Sequence, residues 1–367
     1  MPFKAYYLTP EGQLRAGLDE PAVRSAYESH QGLLWVDVEA SSDEDGRFME
    51  RVFGFHRLHI EDCVSPEVHS PKVDDYGNYL FIIVNGINYA VEADLVATTE
   101  LAVFVGKNFV VSSHNFPMPS VDTVARNIES AEARLMTRGA DFMAHALIDS
   151  LVDHVIPTID RMSEVTTELE EEAIYRPQQA TLNALMKLKR STLRLQRIMA
   201  PQRDLMARVS RGDYPLLRQE TLIFFRDVYD HITAVQERNV AIQQRTDHCS
   251  LVFMSAVATR QNETVKVLSF VAAVLLPLNL VASIYGMNFD NMPELHWQWG
   301  YYAVLGFMAF LGLLIVAVLW ARKLIGWGYR QVDRVGIFRV AGLTRRSAGA
   351  NGQRGSQGYR STARNNP

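Results

Sequence analysis

Two long apolar runs near the C-terminal end constrain this chain more than any other feature. Residues 267–285 contain no charged side chain, and residues 301–321 are equally apolar and end just before Arg322 and Lys323. As an α-helix, either run would span roughly 30 Å, the thickness of the hydrocarbon part of a bilayer. A domain of this size has no room to hide two such helices, so the sequence predicts two transmembrane helices joined by a short loop.

The basic residues around these runs predict their orientation. Residues 286–300 contain no Lys or Arg, whereas Arg260 and Lys266 precede the first run and Arg322 and Lys323 follow the second. Because basic residues accumulate on the cytoplasmic side of a membrane, both termini are predicted to be cytoplasmic and the loop external.

The remainder of the chain has the composition of an ordinary globular protein. Charged residues make up 21% of the sequence, and the formal net charge of -4 gives no reason to expect nucleic acid as a partner. The two cysteines, Cys63 and Cys249, are too few and too far apart for a disulfide framework or a zinc site. Gly-rich phosphate loops and nucleophile–base pairs are not found, so an enzyme is not expected.

Residues 1–140 are predicted to form an α/β domain. Residues 33–38, 79–88 and 101–114 are rich in Val, Ile, Phe and Tyr, as strands are. Residues 42–53 are predicted to form a helix that begins at an N-cap serine and has an acidic first turn.

Residues 141–266 are predicted to be helical. Residues 158–175 are acidic and residues 179–209 are basic, which favours an antiparallel hairpin with complementary faces. Residues 215–285 are expected to form one helix about 105 Å long, which needs support from other subunits. Its polar line of Gln236, Asn239 and Gln243 would then face a wet central axis in a symmetric homo-oligomer.

The first apolar run carries Asn279 near its middle. An amide is costly in hydrocarbon unless it faces a partner or water. Two interpretations stay open on the residues alone: a hydrogen bond between helices, or an amide that lines a pore.

The end of this run carries a motif that resembles a known family. Tyr285-Gly286-Met287-Asn288-Phe289 is followed by Met292-Pro293-Glu294-Leu295. This is similar to the Gly-Met-Asn signature of the CorA family of magnesium and cobalt transporters. Further stretches resemble the family in the same order: Trp35-Val36-Asp37, Gly54-Phe55-His56, Ile60-Glu61-Asp62, Pro201-Gln202-Arg203-Asp204, Phe225-Arg226-Asp227-Val228-Tyr229-Asp230-His231 and Asn262-Glu263-Thr264-Val265-Lys266-Val267-Leu268.

The resemblance implies an architecture and an ion pathway. The expected assembly is a funnel-shaped homopentamer with a cytosolic α/β domain, long helices and two C-terminal transmembrane helices, the first of which lines the pore. The implied selectivity filter is Gly286, Met287 and Asn288. The implied pore-lining residues are Asn279, Leu276, Leu268 and Val265, whose apolar members would form a constriction that closes by dewetting.

Three details of this pathway are also expectations. The acids Asp290 and Glu294 would attract cations to the outer loop. Gly286 has an alternative role as a left-handed residue that caps the helix. Magnesium keeps its water and prefers oxygen ligands, which suits the Asn288 amide and nearby carbonyl groups.

Regulation is implied at Asp227, which matches a family carboxylate that binds magnesium between subunits. Its expected partner is Asp94 or Glu92. Magnesium is thus expected as both transported and regulatory ion, without an organic cofactor, and its loss would leave like charges that favour opening. An intrahelical salt bridge is the alternative role of Asp227.

The sequence therefore predicts a carrier of Mg2+, and also of Co2+ and Ni2+, in the bacterial inner membrane, gated by cytosolic Mg2+. The alternatives are a zinc transporter of the same superfamily, in which transport can be coupled to protons, and a two-span sensor that does not conduct. The predicted segments are 1–140, 141–266, 267–285, 286–300, 301–321 and a basic tail 322–367, with disorder expected from about residue 343.

Overall fold

A seven-stranded sheet and a set of long helices make up the described part of the chain. The computed structural model describes residues 3–40, 42–90, 95–130, 134–287 and 297–321. The strands are β1 (Phe3–Leu8), β2 (Leu14–Ala16), β3 (Leu33–Glu39), β4 (Lys72–Asp75), β5 (Leu80–Ala90), β6 (Leu95–Val105) and β7 (Phe109–His114). The helices are α1 (Glu20–Glu28), α2 (Asp43–Phe53), α3 (Arg57–Val64), α4 (Pro119–Ser130), α5 (Ala140–Asp153), α6 (Ile156–Tyr175), α7 (Gln179–Ser210), α8 (Gln219–Tyr285) and α9 (Gly300–Ala321), with a 3-10 turn at Met136–Arg138.

The sheet has the order β2-β1-β3-β7-β6-β5-β4, and only the central pair, β3 with β7, is parallel. Side chains of β3 alternate between two cores, because successive residues of a strand point to opposite faces. Leu33 and Trp35 belong to the core shared with α4 to α8, whereas Leu34 and Val36 belong to the core under α1 to α3. Both faces are therefore covered, which explains why the predicted strands were apolar throughout rather than alternating.

A buried polar network joins the two central strands. Ser112 donates a hydrogen bond of 2.6 Å to Asp37, and the indole of Trp35 donates one of 3.0 Å to Ser112. His114 Nε2 lies 3.3 Å from Asp37, and its Nδ1 lies 2.7 Å from the Phe116 carbonyl oxygen. Burial alone would lower the pKa of His114, but the hydrogen bond and charge of Asp37 outweigh it and raise this pKa above its usual value. Because the hydroxyl bonds the carboxylate rather than the imidazole, this group is structural.

Two local predictions can be compared directly with the elements. The N-cap serine of the predicted helix 42–53 is confirmed: Ser42 and Asp45 form a reciprocal capping box at the start of α2. The single predicted strand 101–114 is wrong, because the chain turns after Val105 and pairs back on itself as β6 and β7. The polar loop Gly106-Lys107-Asn108 between the two apolar runs is the sequence signal for this turn.

The charged helices α6 and α7 pair with α8 as well as with each other. Arg245 of α8 binds Glu170 of α6 at 2.7 Å, and Lys189 of α7 binds Asp247 of α8 at 2.7 Å. The predicted charge complementarity between α6 and α7 was thus incomplete, because α8 supplies a basic partner to α6 and an acidic partner to α7.

The predicted polar line on the long helix is also corrected. Asn239 is 2% exposed, and its Nδ2 donates a hydrogen bond of 3.0 Å to the Thr192 carbonyl of α7. This position therefore faces the inside of its own subunit and not a wet axis. The polar group marks a buried contact between α7 and α8, where an amide needs a partner.

The chain divides into two compact units, Met1–Thr259 and Arg260–Pro367. Helix α8 contributes residues to both units, and α9 belongs to the second. Among the residues that the structure describes, two helices, α8 and α9, contain stretches long and apolar enough to cross a membrane, and none of either stretch is buried. The two predicted transmembrane runs, 267–285 and 301–321, lie within these two helices.

Candidate functional site

The predicted pore-lining residues form one exposed stripe on α8. Val265, Leu268 and Leu276 are 59%, 69% and 68% exposed, and Asn279 is exposed as well. At 100° per residue, these four positions fall within about 45° of a common line along the helix. The structure therefore brings them together as a continuous face, in which three apolar positions precede one amide.

The opposite face of the same segment is the more covered one. Between residues 265 and 285 of α8, six residues are half-buried. Five of them follow the three- or four-residue spacing of one helix face: Phe270, Val274, Pro277, Leu278 and Val281. Their mean direction is about 180° from that of the stripe. A Cβ added to Gly312 of α9 would lie 3.8 Å from Leu278 Cδ1, so α9 approaches this side. The stripe is thus the side of α8 opposite its half-buried residues, although Leu276 and Asn279 also border a groove that includes Met308 of α9.

The surroundings of Asn279 bear on its two interpretations. Among the described residues, its amide makes no hydrogen bond to α9 or to any other helix. It borders an open groove of about 420 Å3 whose other lining residues are Leu275, Leu276, Leu278, Ala282 and Met308. Within one chain, an interhelical hydrogen bond does not explain the amide, which leaves it available to water or to a hydrated ion.

Helix α8 ends at the predicted filter motif. The Gly286 N–H donates to the carbonyl oxygens of Ala282 and Ser283 at 3.0 and 3.2 Å, and Met287 N–H donates to Ile284 at 3.3 Å. The expected left-handed conformation of Gly286 is wrong, since its φ is not among the positive ones. A Cβ at this position would lie 3.2 Å from the Ala282 carbonyl oxygen, a tight contact with the last turn of α8. Asn288, Asp290 and Glu294 lie outside the described residues.

A second candidate site surrounds Asp227 in the first unit. Asp149, Asp227 and His231 each place one ligand atom within 4.8 Å of the others. His231 Nδ1 lies 3.8 Å from Asp149 and 3.7 Å from Asp153, and its Nε2 lies 3.9 Å from Asp227. These separations are too long for hydrogen bonds and leave room for a cation between carboxylate and imidazole.

The electrostatics of this cluster favour a cation. Burial raises the pKa of Asp149, and the nearby charges of Asp153 and Asp227 raise it further. Asp149 Oδ1 and His231 Nδ1 are inaccessible to solvent and have no hydrogen-bond partner among the described residues. A divalent cation would satisfy both atoms and relieve the repulsion between the carboxylates.

A neutral imidazole borders this region. His145 is 7% exposed and stacks on Phe142, and burial lowers its pKa to about 4. It therefore adds no positive charge near Asp227 at neutral pH.

The sequence identified only part of this cluster. Asp227 was predicted, whereas Asp149, Asp153 and His231 were not. The available signals were helical spacings of four residues, Asp149 with Asp153 on α5 and Asp227 with His231 on α8, but spacing cannot show that two helices meet. The predicted partners Asp94 and Glu92 lie outside the described residues.

Comparison with known proteins shows which family this chain belongs to. A family model described as "CorA-like Mg2+ transporter protein" matches residues 30–323, which is most of the chain. The chain belongs to this family. Its members are transporters and not enzymes, so the class expected from the sequence is confirmed.

Relatives carry names for more than one metal. The cobalt/magnesium transport protein CorA of Thermotoga maritima is 31% identical over 79% of this chain and 82% of its own length. The zinc transport protein ZntB of Yersinia pseudotuberculosis is 22% identical over 88% of this chain and 95% of its own length. The family therefore establishes divalent metal transport as the class of function, while its members differ in the metal.

The fold agrees with solved structures. The complete structure of the CorA magnesium transporter from Methanocaldococcus jannaschii superposes with a TM-score of 0.75 at 16% identity, covering 87% of this chain and 97% of that one. The predicted combination of an α/β domain, long helices and two C-terminal apolar helices is confirmed by this match.

Proposed function

We propose that the protein carries Mg2+ across the bacterial inner membrane into the cell, with Co2+ and Ni2+ as further substrates. The pathway lies at the centre of a homopentamer whose protomers have both termini in the cytoplasm. The single observation that carries this proposal is the exposed stripe of Val265, Leu268, Leu276 and Asn279, on the side of α8 opposite its half-buried residues.

The stripe has the chemistry of a gated pathway for a hydrated ion. A lipid-facing helix has no use for an unpaired amide, whereas an amide beside a water-filled path can bind the water around an ion. Three apolar positions below it would form a narrow dry ring when several copies surround an axis. Such a ring blocks ions by dewetting and conducts when it widens.

The motif after α8 supplies the proposed filter, formed by Gly286, Met287 and Asn288. Magnesium loses its water reluctantly, and amide and carbonyl oxygens can hold it through its hydration shell. Asp290 and Glu294 in the outer loop would raise the local concentration of cations by their charge.

The Asp149–Asp227–His231 cluster is the proposed regulatory metal site, to which Asp94 or Glu92 would add a ligand from a neighbouring subunit. Bound Mg2+ neutralises carboxylates that otherwise repel each other, so it favours the closed arrangement of the subunits. When the cytosolic Mg2+ concentration falls, the site empties and the closed state loses the stabilisation that bound Mg2+ gave it. The population of the open state then rises.

The test is uptake of Mg2+ into proteoliposomes that contain the purified full-length protein, compared with Asn288→Ala. We expect wild-type uptake and a large loss in the variant, with unchanged assembly by size-exclusion chromatography. Leu280→Ala is the matched control on α8, because Leu280 is 62% exposed and lies off the stripe. Equal uptake by Asn288→Ala and the wild type would refute the filter.

Zinc is the second candidate substrate. It is favoured by the imidazole of His231 in the metal cluster, since nitrogen ligands suit Zn2+ better than Mg2+. In the same liposomes, uptake of Zn2+ driven by a proton gradient, without uptake of Mg2+, would select this function. Binding of metal without uptake of either ion would select a sensor.

A further inference from the structure

Ser283 lies on the same face of α8 as the stripe, although it is not among the pore-lining residues that the family resemblance implies. It is exposed and lies four residues, about one helical turn, after Asn279. At 100° per residue, its direction lies within about 20° of the mean direction of Val265, Leu268, Leu276 and Asn279. The stripe therefore contains two polar positions at its outer end rather than one.

The Ser283 hydroxyl has no partner among the described residues, whereas its carbonyl oxygen accepts from Gly286 N–H at 3.2 Å. Earlier in the same helix, Thr259 and Thr264 donate their hydroxyls to carbonyl oxygens one turn back, at 2.8 and 3.1 Å. Those hydroxyls are therefore occupied by hydrogen bonds to the backbone of their own helix. The Ser283 hydroxyl is free to rotate toward whatever occupies the space beside the stripe.

The spacing of the polar positions fits a hydrated cation. Ser283 lies one helical turn, or about 6 Å, beyond Asn279 along the helix axis, and the filter motif begins within the next turn. Water bound to Mg2+ is a strong hydrogen-bond donor, so the ion needs acceptor oxygens in its path rather than direct ligands. An amide oxygen and a hydroxyl oxygen one turn apart offer such acceptors at successive depths.

We propose that Ser283 forms a hydroxyl ring that binds the hydration water of the transported cation between Asn279 and the Gly286-Met287-Asn288 filter. This proposal rests on the proposed function, because a ring requires several copies of α8 around one path. The ring passes the hydrated ion from the filter to the Asn279 amides without removing its water. It also extends the wet part of the path to the last turn of α8.

The alternative is that Ser283 is a small residue that lets copies of α8 pack closely. Packing depends on side-chain size, whereas binding of water depends on the hydroxyl. Threonine and valine have nearly the same shape and differ in that hydroxyl, so this pair separates the two roles.

The experiment compares Mg2+ influx into proteoliposomes for the full-length wild type, Ser283→Thr, Ser283→Val and Ser283→Ala, with assembly checked by size-exclusion chromatography. We expect Ser283→Thr to stay near wild type, and Ser283→Val and Ser283→Ala to lose about tenfold in rate, the size of one hydrogen bond to a charged group. If threonine and valine both block the path by their bulk, the comparison of Ser283→Ala with the wild type decides, since alanine removes the hydroxyl without adding volume.

A relocated hydroxyl provides the matched control. The double variant Ala282→Ser with Ser283→Ala keeps the composition but moves the hydroxyl by about 100° around the helix. We expect it to remain as slow as Ser283→Ala. Wild-type rates in Ser283→Ala, or full recovery in the double variant, would overturn the role of Ser283 while leaving the proposed function intact. No divalent uptake by the wild type would overturn both.

Discussion

Between Thr221 and Phe253, α8 buries a residue at every third or fourth position, whereas from residue 254 to 285 none of its residues is buried. Both halves are continuous helix. The first half completes the core of its own subunit, with Phe225, Val228 and Ile232 fully buried. The second half presents apolar residues that its own chain leaves uncovered. The difference teaches that hydrophobicity after residue 254 does not serve the core of the first unit, and the proposed function assigns it to contacts with lipid and with other copies of the chain.

Polar groups follow the same division. In the first half of α8, two buried polar side chains are tied to neighbouring helices: Thr221 to Asp141 at 2.7 Å and Asn239 to Thr192 at 3.0 Å. In the second half, Asn279 and Ser283 have no partner among the described residues. A polar residue that folding does not use is a better candidate for function than one that folding requires.

The largest expected effect removes the contact that joins the start of α8 to α5. Asp141 is 4% exposed and accepts hydrogen bonds from Thr221 and from Arg218, whose Nε lies 3.0 Å away. We expect Asp141→Ala to lower the free energy of unfolding of the first unit by about 3 kcal/mol, because buried donors lose their acceptor. Thermal unfolding of the full-length protein in detergent measures it, with the exposed Asp230→Asn as control. An unchanged melting temperature would show that this half of α8 does not depend on the contact.

The next effect concerns the second half of α8. We expect Asn279→Leu to slow Mg2+ uptake by about 30-fold, since roughly 2 kcal/mol of hydrogen bonding to the hydrated ion is lost, while thermal stability stays within error. Parallel measurements of uptake and melting temperature test both statements. A loss of stability as large as that of Asp141→Ala would mean that Asn279 is a structural residue, and the contrast between the halves would fail.

A smaller effect is expected at the metal cluster, where the first half of α8 carries a charge that folding does not need. Asp227 is exposed by 66% at its side chain. We expect Asp227→Asn to raise the cytosolic Mg2+ concentration that half-inhibits uptake by about tenfold, through the loss of one charged ligand. Asp230→Asn, one turn away on the exposed face, should leave that concentration unchanged. Equal shifts in both variants would indicate a general effect of charge.

The smallest effect is a dependence of stability on pH in the sheet. The folded-state pKa of His114 is raised by Asp37, so its stabilisation is present below the ordinary histidine pKa and is lost as pH rises through the raised value. We expect the melting temperature of the first unit to fall by about 2–4 °C as pH rises above neutrality, with His114→Gln removing most of that slope. The exposed His154→Gln should retain it. A slope that persists in His114→Gln would assign the dependence to other groups.

Much of the helical architecture could be predicted from the sequence, because its signals are local. The two apolar runs, the capping serine of α2 and the absence of Gly and Pro in the early part of α8 each act through neighbouring residues. The turn between β6 and β7 was missed although its signal is also local, because Gly106-Lys107-Asn108 interrupts the apolar run with the residues of a short hairpin loop. The left-handed cap, one of the two roles considered for Gly286, is not adopted by the backbone.

By itself, the sequence determined which segments are long and apolar enough to cross a membrane and, through periodicity, which residues share a face of α8. Only the tertiary structure decided what each face meets. Asn239 and Asn279 are the same residue type on the same helix, yet one is held by Thr192 of α7 and the other is left exposed. Likewise, Asp149 of α5 and His231 of α8 become one cluster only because the two helices pack together. Helical periodicity is a property of the local backbone, whereas the partner of a side chain depends on residues far away in the chain.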